Sequence, residues 1–240
     1  MTRAVLADPA AMGVRHHLAL HLAHRWFAFL ESEGGDIDAH LEMFHPRVRL
    51  SGRRGDHVFA DDRASLLRWF ASVPEEVSSH HIIHSSFVAG EGGVGQLSMV
   101  VAYQAPQPDG MRGSIISYET TVEFVDEGAR FLSLDKTPIL ANASSEYHTS
   151  WAANRVLALV HAELANTDQT NTVLSGVLGS SVSKVMAVSV AQEGARDYHA
   201  VVTAIGGASN GVRVVRLALL DDLKSIVPII TRIEAVNPGP

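Results

Sequence analysis

Near Ser79 the spacing of apolar residues changes from about four to two, and this change limits what the chain can fold into. Before it the pattern is helical. Residues 14 to 31 place Leu18, Leu22, Trp26 and Phe29 at helical intervals, and "EGGD" supplies the glycine that stops a helix. Asp36 is placed to cap a second, short helix through "IDAHLEMF", which His45-Pro46 ends because a residue before proline is pushed out of the helical region. "VRLSGRRGDHVF" reads as a short strand, a glycine turn and a return. Asp61 or Asp62 then caps a third helix, "RASLLRWFASV", with Leu66, Leu67 and Phe70 toward a core and Pro74 beyond its end.

After Ser79 come four strand-like runs, "HHIIHSSFVAGEGG", "VGQLSMVVAYQAPQPDG", "MRGSIISYETTVEFVDEG" and "ARFLSLDKTPIL", separated by Gly, Pro and Asp clusters. Helices followed by a meander predict an α+β unit whose antiparallel sheet wraps the N-terminal helices. The rest of the chain repeats the plan in shortened form. Residues 146 to 166 form a helical pattern that includes Trp151, Val156, Leu159 and Leu164, "TDQTNTVLSGVLGSS" is a polar connection, and four more strand runs follow. Glu91-Gly92 is echoed by Glu193-Gly194. The expected organisation is therefore residues 1–142 as one unit, a break near Asn142 to Ser145, and residues 146–240 as a degenerate second copy.

With 46% hydrophobic residues the chain has material for proper cores, and its net charge of −7 lacks the basic stripe that a nucleic-acid partner requires. The absence of cysteine excludes disulfides, thiolate nucleophiles and cysteine-ligated zinc. No run nears the roughly 18 apolar residues that span a bilayer, and the N-terminus lacks a signal-peptide core. The expectation is a cytoplasmic protein with no membrane partner.

The stretch "SSHHIIHSSFV" holds His80, His81 and His84 within a strand pattern. The period of two puts His80, Ile82, His84 and Ser86 on one face and His81, Ile83, Ser85 and Phe87 on the other. His80 and His84 are thus expected to act together. A second set, His17, His21 and His24, shares one face of the first helix at a spacing that can bind zinc or nickel. No acidic or cysteine ligand stands beside it, and Arg15 and Arg25 would repel a cation, so an exposed polar face is the preferred reading and no metal is predicted. Asp197, Tyr198 and His199 are a minor second cluster. "GVLGSS" lacks a nucleophile-elbow context, and the glycines at 206, 207 and 211 form a hairpin turn, not a phosphate loop.

This order of elements, with a His-His pair entering the strand after the third helix and a polar residue four positions beyond the first histidine, resembles the nuclear transport factor 2-like superfamily. Within it, residues 14 to 140 look most like the SnoaL-like polyketide cyclases and their dehydratase and isomerase relatives. The resemblance implies a curved, cone-shaped sheet around the first helix, an apolar interior with polar groups pointing into it, and pairing of units through their sheets. The two halves would then form an internal pseudo-dimer, with a further homodimer possible. It implies that His80 is a general base or acid and that Glu31, where dehydratase-like relatives carry an aspartate, orients it. The second histidine of the dehydratases has no counterpart, and Tyr103 is the nearest polar aromatic.

Proton abstraction beside a carbonyl needs such a base and a donor for the developing oxyanion. Tyr103 and Tyr118 are the candidate donors, Glu119 or Asp135 a carboxyl group if either points inward, and His84, Trp26 and Trp69 candidate lining for an apolar or polycyclic molecule. The expected function is a cyclase, isomerase or dehydratase-type lyase without a cofactor. The alternative is a non-catalytic ligand-binding or assembly module of the same fold.

Overall fold

The computed structural model describes residues 9–31, 37–73, 78–108, 110–126, 128–140, 152–165, 173–178, 182–206, 211–221 and 226–236. Trp151, Pro74, the break expected at 142–145 and the glycine at 207 lie outside them. Backbone contacts divide the chain into Leu22–Asn154 and a second unit of Met1–His21 with Arg155–Pro240. No described helix is long and apolar enough to cross a membrane.

The Leu22–Asn154 unit holds the larger sheet. Helix α1 (Pro9–Leu30) leads into it, followed by a 3-10 helix (Ile37–Met43), β1 (Phe44–Gly52), β2 (His57–Ala60), α2 (Arg63–Ser72), β3 (Ser79–Ala89), β4 (Val94–Gln107), β5 (Gly110–Val125) and β6 (Gly128–Leu140). Of the two aspartates offered as a cap, Asp62 is the one that caps α2. Its carboxylate accepts from the Ser65 amide at 2.6 Å while the Ser65 hydroxyl accepts from the Asp62 amide at 3.0 Å.

The strand order is β2-β1-β6-β5-β4-β3. The expected sheet was antiparallel throughout; the observed one is mixed, because β1 pairs with β6 in parallel. The first strand of the sheet lies beside the last strand of the meander and runs the same way, which removes the open edge that β6 would otherwise present.

The helix-facing side of the sheet can be followed through the register. Val101 and Tyr103 of β4 stand opposite Ile116 and Ser114 of β5, and Met99 opposite Tyr118. Leu97, Met99, Val101, Tyr118, Thr120, Val122, Phe131 and Leu134 are buried on this side. Helix α1 is buried nearly all round, with Leu22, Ala23, Trp26, Phe27, Ala28 and Phe29 all in the core. Instead of a single apolar stripe, "WFAFL" buries every one of its residues but Leu30, because Phe27 packs on His80 and Tyr118 of the sheet while Trp26 and Phe29 pack on Phe70 of α2.

The second unit carries most of α3 (Ala152–Ala165), α4 (Val173–Leu178) and an antiparallel sheet of β7 (Val182–Gln192), β8 (Asp197–Gly206), β9 (Gly211–Leu220) and β10 (Ile229–Val236), ordered β10-β9-β8-β7. The segment read as a polar connection contains α4, whose Leu174 and Leu178 are buried. Burial of these two leucines, four apart, overrides the polar composition around them. Tyr198, Ala200, Val202 and Ala204 alternate inward from β8, and Val215, Leu217 and Leu219 from β9. Buried Arg155 pairs with Asp221 and donates to the Ile226 carbonyl at 2.6 Å. The minor cluster is split by the strand period: Tyr198 points inward, while His199 pairs at the surface with Glu193 at 2.9 Å.

The helix-one histidines are not an exposed face. His17 and His24 are buried, and each of the three has its own partner: His17 meets His161, His21 the Ala158 carbonyl, and His24 the Asn154 amide. All three partners belong to α3, so this face of α1 is covered by a second helix and not by water. The His17 Nε2 atom lies 3.4 Å from the Val182 carbonyl, which can only accept, so His17 carries its proton there and His161 donates across the 3.0 Å Nδ1–Nδ1 contact.

Burial pulls the His17 pKa down from 6.5 to about 4. A depressed histidine contributes stability in full above pH 6.5 and loses it as pH falls toward 4, because the unfolded chain then takes a proton that the folded chain refuses. The difference corresponds to about 3 kcal/mol. In thermal melts between pH 7 and pH 4, wild type is expected to lose this increment and His17→Gln to lose less; parallel curves would contradict the assignment.

Candidate functional site

Glu31 follows the last turn of α1, its amide still bonded to the Phe27 carbonyl at 3.0 Å. That last helical turn carries its side chain inward, where it is 5% exposed, as is His80 at the start of β3. Glu31 Oε1 accepts from the His80 backbone N–H at 2.5 Å, from His80 Nδ1 at 3.3 Å and from Asn154 Nδ2 at 3.0 Å. The other oxygen, Oε2, is buried with no hydrogen-bond partner among the described residues. Burial raises the Glu31 pKa above its ordinary value, against the lowering effect of His80 and Asn154.

The carboxyl group fixes the imidazole. A carboxyl oxygen bearing three N–H contacts is an acceptor, so His80 Nδ1 carries the proton and Nε2 holds the lone pair in the neutral ring. Among the described residues Nε2 has no hydrogen-bond partner. The ring stacks on Phe27 at 4.9 Å and lies 5.2 Å from Tyr103, while Phe27 meets Tyr118 edge-on at 5.4 Å. Phe27 is fully buried and joins the two halves of this group. Burial pushes the Tyr118 hydroxyl far up, so it is a donor at any ordinary pH.

Four of the expected residues, His80, Glu31, Tyr103 and Tyr118, therefore share one neighbourhood. Trp26 and Trp69 belong to a neighbouring aromatic cluster. Trp26 packs edge-on against Phe44 and Phe70 at 5.4 and 5.5 Å, and Trp69 lies beside Phe59 and Phe70. Lys136, which faces Tyr118 across the β5–β6 pair, places its ammonium 5.2 Å from the Phe59 ring and 5.4 Å from that of Trp69.

His84 and Glu119 are elsewhere. The β3–β4 register slips between Ile82 and His84, which pair with Val101 and Val100 in turn, so Ile83 is an extra residue. A bulge of this kind reverses the side-chain phase. His84 consequently points away from His80 and is exposed, and Ser85 and Phe87 take the helix-facing positions instead. Glu119 lies on the other side of β5 from Tyr118 and accepts from Ser98 at 2.5 Å. Asp135, opposite Glu119, also faces away from α1. It accepts from Ser51, Gly55, Thr137 and Arg54 at 2.7–3.1 Å and so ties down the Arg53-Arg54 turn. Both arginines have positive φ, 53° and 59°, a conformation that costs a non-glycine residue energy. Arg49, Arg54, Glu119 and Asp135 line a groove of about 560 Å³ on that side.

Phe27 and Asn154 were not among the expected site residues, and His24 was read only as part of an exposed helix face. Phe27 was signalled only by the all-round apolar character of α1. Asn154 donates to the His80 carbonyl at 2.6 Å as well as to Glu31, and accepts from His24 Nδ1 at 2.7 Å. At 74 and 123 residues from its partners, it had no local signal.

No protein-family model matches the chain, and no curated protein does. Among solved structures, it is similar to a hexachlorocyclohexane dehydrochlorinase, LinA-type3, from Novosphingobium barchaimii LL02, at 10% identity, 57% of this chain, 94% of that one and a TM-score of 0.45. It is similar to an uncharacterized protein with a cystatin-like fold from Caulobacter vibrioides at 13% identity, 52% of this chain, 89% of that one and a TM-score of 0.43. A third similarity is to the S. rosetta CaMKII hub, at 16% identity, 56% of this chain, 99% of that one and a TM-score of 0.40. The chain's own element order, helices and a short hairpin followed by a four-stranded meander, is the α+β plan that the nuclear transport factor 2-like resemblance implies.

A carboxyl whose pKa is raised on folding contributes stability below its unfolded value and loses it as pH rises through the folded value. Glu31→Gln removes that loss. The stability of the variant relative to wild type is therefore expected to increase from about pH 4.5 upward in urea unfolding. A difference that is flat with pH, or that shrinks, would show that Glu31 keeps an ordinary or lowered pKa.

Proposed function

We propose that the Leu22–Asn154 unit is a cofactor-independent acid/base enzyme of the isomerase, cyclase or lyase type, acting on a proton next to a carbonyl in an apolar molecule. The observation that carries this reading is the His80 ring, whose Nδ1 is held by a buried carboxyl while Nε2 has no hydrogen-bond partner among the described residues. A histidine held this way is a base with a fixed tautomer and a fixed direction. In the forward step, His80 Nε2 takes the proton from carbon, the electron pair moves into the carbonyl, and the enolate oxygen accepts a hydrogen bond from Tyr103 or Tyr118. Glu31 stabilises the imidazolium that forms. Return of the proton to another atom completes an isomerisation, and loss of a leaving group completes an elimination.

We further read the C-terminal unit as a shortened second copy. Its strand order, β10-β9-β8-β7, repeats the β6-β5-β4-β3 order of the first meander. Its inward strand positions are almost entirely aliphatic, which favours packing over chemistry.

The reading is tested with the reaction's first step alone. A panel of cyclic apolar ketones is incubated in D₂O, and loss of the α-proton signal is followed by NMR. Wild type is expected to accelerate exchange for the members that fit, and His80→Ala to lower that rate by about 10²–10⁴-fold. Exchange that is accelerated equally by His80→Ala would overturn the assignment of the base, and a panel left untouched by wild type would favour a binding module.

A further inference from the structure

The His80–Glu31 pair is bridged by a third residue from outside the helices and meander that define the fold. Asn154 stands in the first turn of α3 and is 2% exposed. One amide nitrogen makes both contacts: Nδ2 donates to the His80 carbonyl at 2.6 Å and to Glu31 Oε1 at 3.0 Å. An amide has two N–H bonds on that atom, so both donations are made at once. The opposite end of the same amide, Oδ1, accepts from His24 Nδ1 at 2.7 Å. His24 is two turns before Glu31 on α1 and is itself buried.

We propose that Asn154 is a positioning residue of the His80–Glu31 pair, with His24 fixing the orientation of its amide. This rests on the reading of that pair as an acid/base site. The Asn154 side chain is attached to the backbone of the base and to the carboxyl that orients the base, so it sets the distance between them. It also decides which oxygen of Glu31 titrates. Oε1 is occupied by three N–H groups, and an added proton goes to Oε2, the oxygen without a partner. Without the Asn154 donor, Oε1 would lose one of the contacts that favour its charged form, and the carboxyl would be free to rotate. The titratable groups around it are His80 in direct contact, His24 through the amide, and Tyr103 and Tyr118 across the rings of His80 and Phe27. The burial of His24, otherwise an odd choice for the middle of an apolar helix, is explained by the same chain of contacts.

The test uses the full-length chain with ¹³C-labelled glutamate. The Glu31 carboxyl carbon is titrated in wild type, Asn154→Ala, Asn154→Asp and His24→Gln, with Glu31→Gln identifying the signal. Asn154→Asp keeps the shape while removing both N–H donors, so it remains informative if the alanine variant does not fold. The Glu31 midpoint is expected to move to higher pH in both Asn154 variants, further in Asn154→Asp, and to move in the same direction in His24→Gln. On a ketone that wild type exchanges, kcat is expected to fall about tenfold with KM unchanged. The pH profile is expected to follow the Glu31 midpoint. Titrations and profiles of the folded Asn154 variants that superimpose on wild type would overturn the proposal. If His80→Ala exchanges as fast as wild type, the acid/base reading fails, and the carboxyl titration still decides whether Asn154 positions the pair.

Discussion

One carboxyl oxygen, Glu31 Oε1, gathers the end of α1, the start of β3 and the start of α3 through three N–H donors. The rest of the site follows from that convergence. Burying an ionised carboxylate costs several kcal/mol, and hydrogen bonds to a charged group return about 1.5–3 kcal/mol each. Three donors on one oxygen offset most of that cost, but Oε2 receives none. The remaining deficit is the physical reason that burial wins and the pKa of Glu31 rises. A carboxyl poised in this way can balance an imidazolium that appears and disappears beside it.

The same contacts give β3 its orientation. The His80 amide, ring and carbonyl are each engaged, the first two by Glu31 and the third by Asn154, so the strand cannot slide without breaking all of them. Phe27 then closes the arrangement from the helix side, stacked on His80 and edge-on to Tyr118. The bulge at Ile83 limits the effect to a few residues. It lets His80 face the helix while the rest of β3 presents Ser85 and Phe87 inward and leaves His84 outside.

Much of this was legible in the sequence where the determinants are local. The period change at Ser79, the aspartate cap of α2 and all eight meander strands follow from spacing and turn chemistry. The Glu31 and His80 positions came from the family resemblance, and the structure puts their side chains in contact. What could not be read depends on long-range pairing. A strand's period assigns faces only while the register holds, and nothing in "HHIIHSS" marks Ile83 as the extra residue. The parallel β1–β6 pairing joins segments more than eighty residues apart. The histidines of α1 looked like a polar face because a sequence shows their chemistry but not their partners, His161, the Ala158 carbonyl and Asn154.

His80 can act as the base only with its proton at Nδ1 and its lone pair at Nε2. Long-range ¹H–¹⁵N correlation spectra of the imidazoles at neutral pH report this directly for each ring. Glu31 as acceptor predicts a protonated Nδ1 and a bare Nε2 for His80. A His80 ring found with its proton on Nε2 would contradict it, since Nδ1 would then have nothing to donate to the carboxyl.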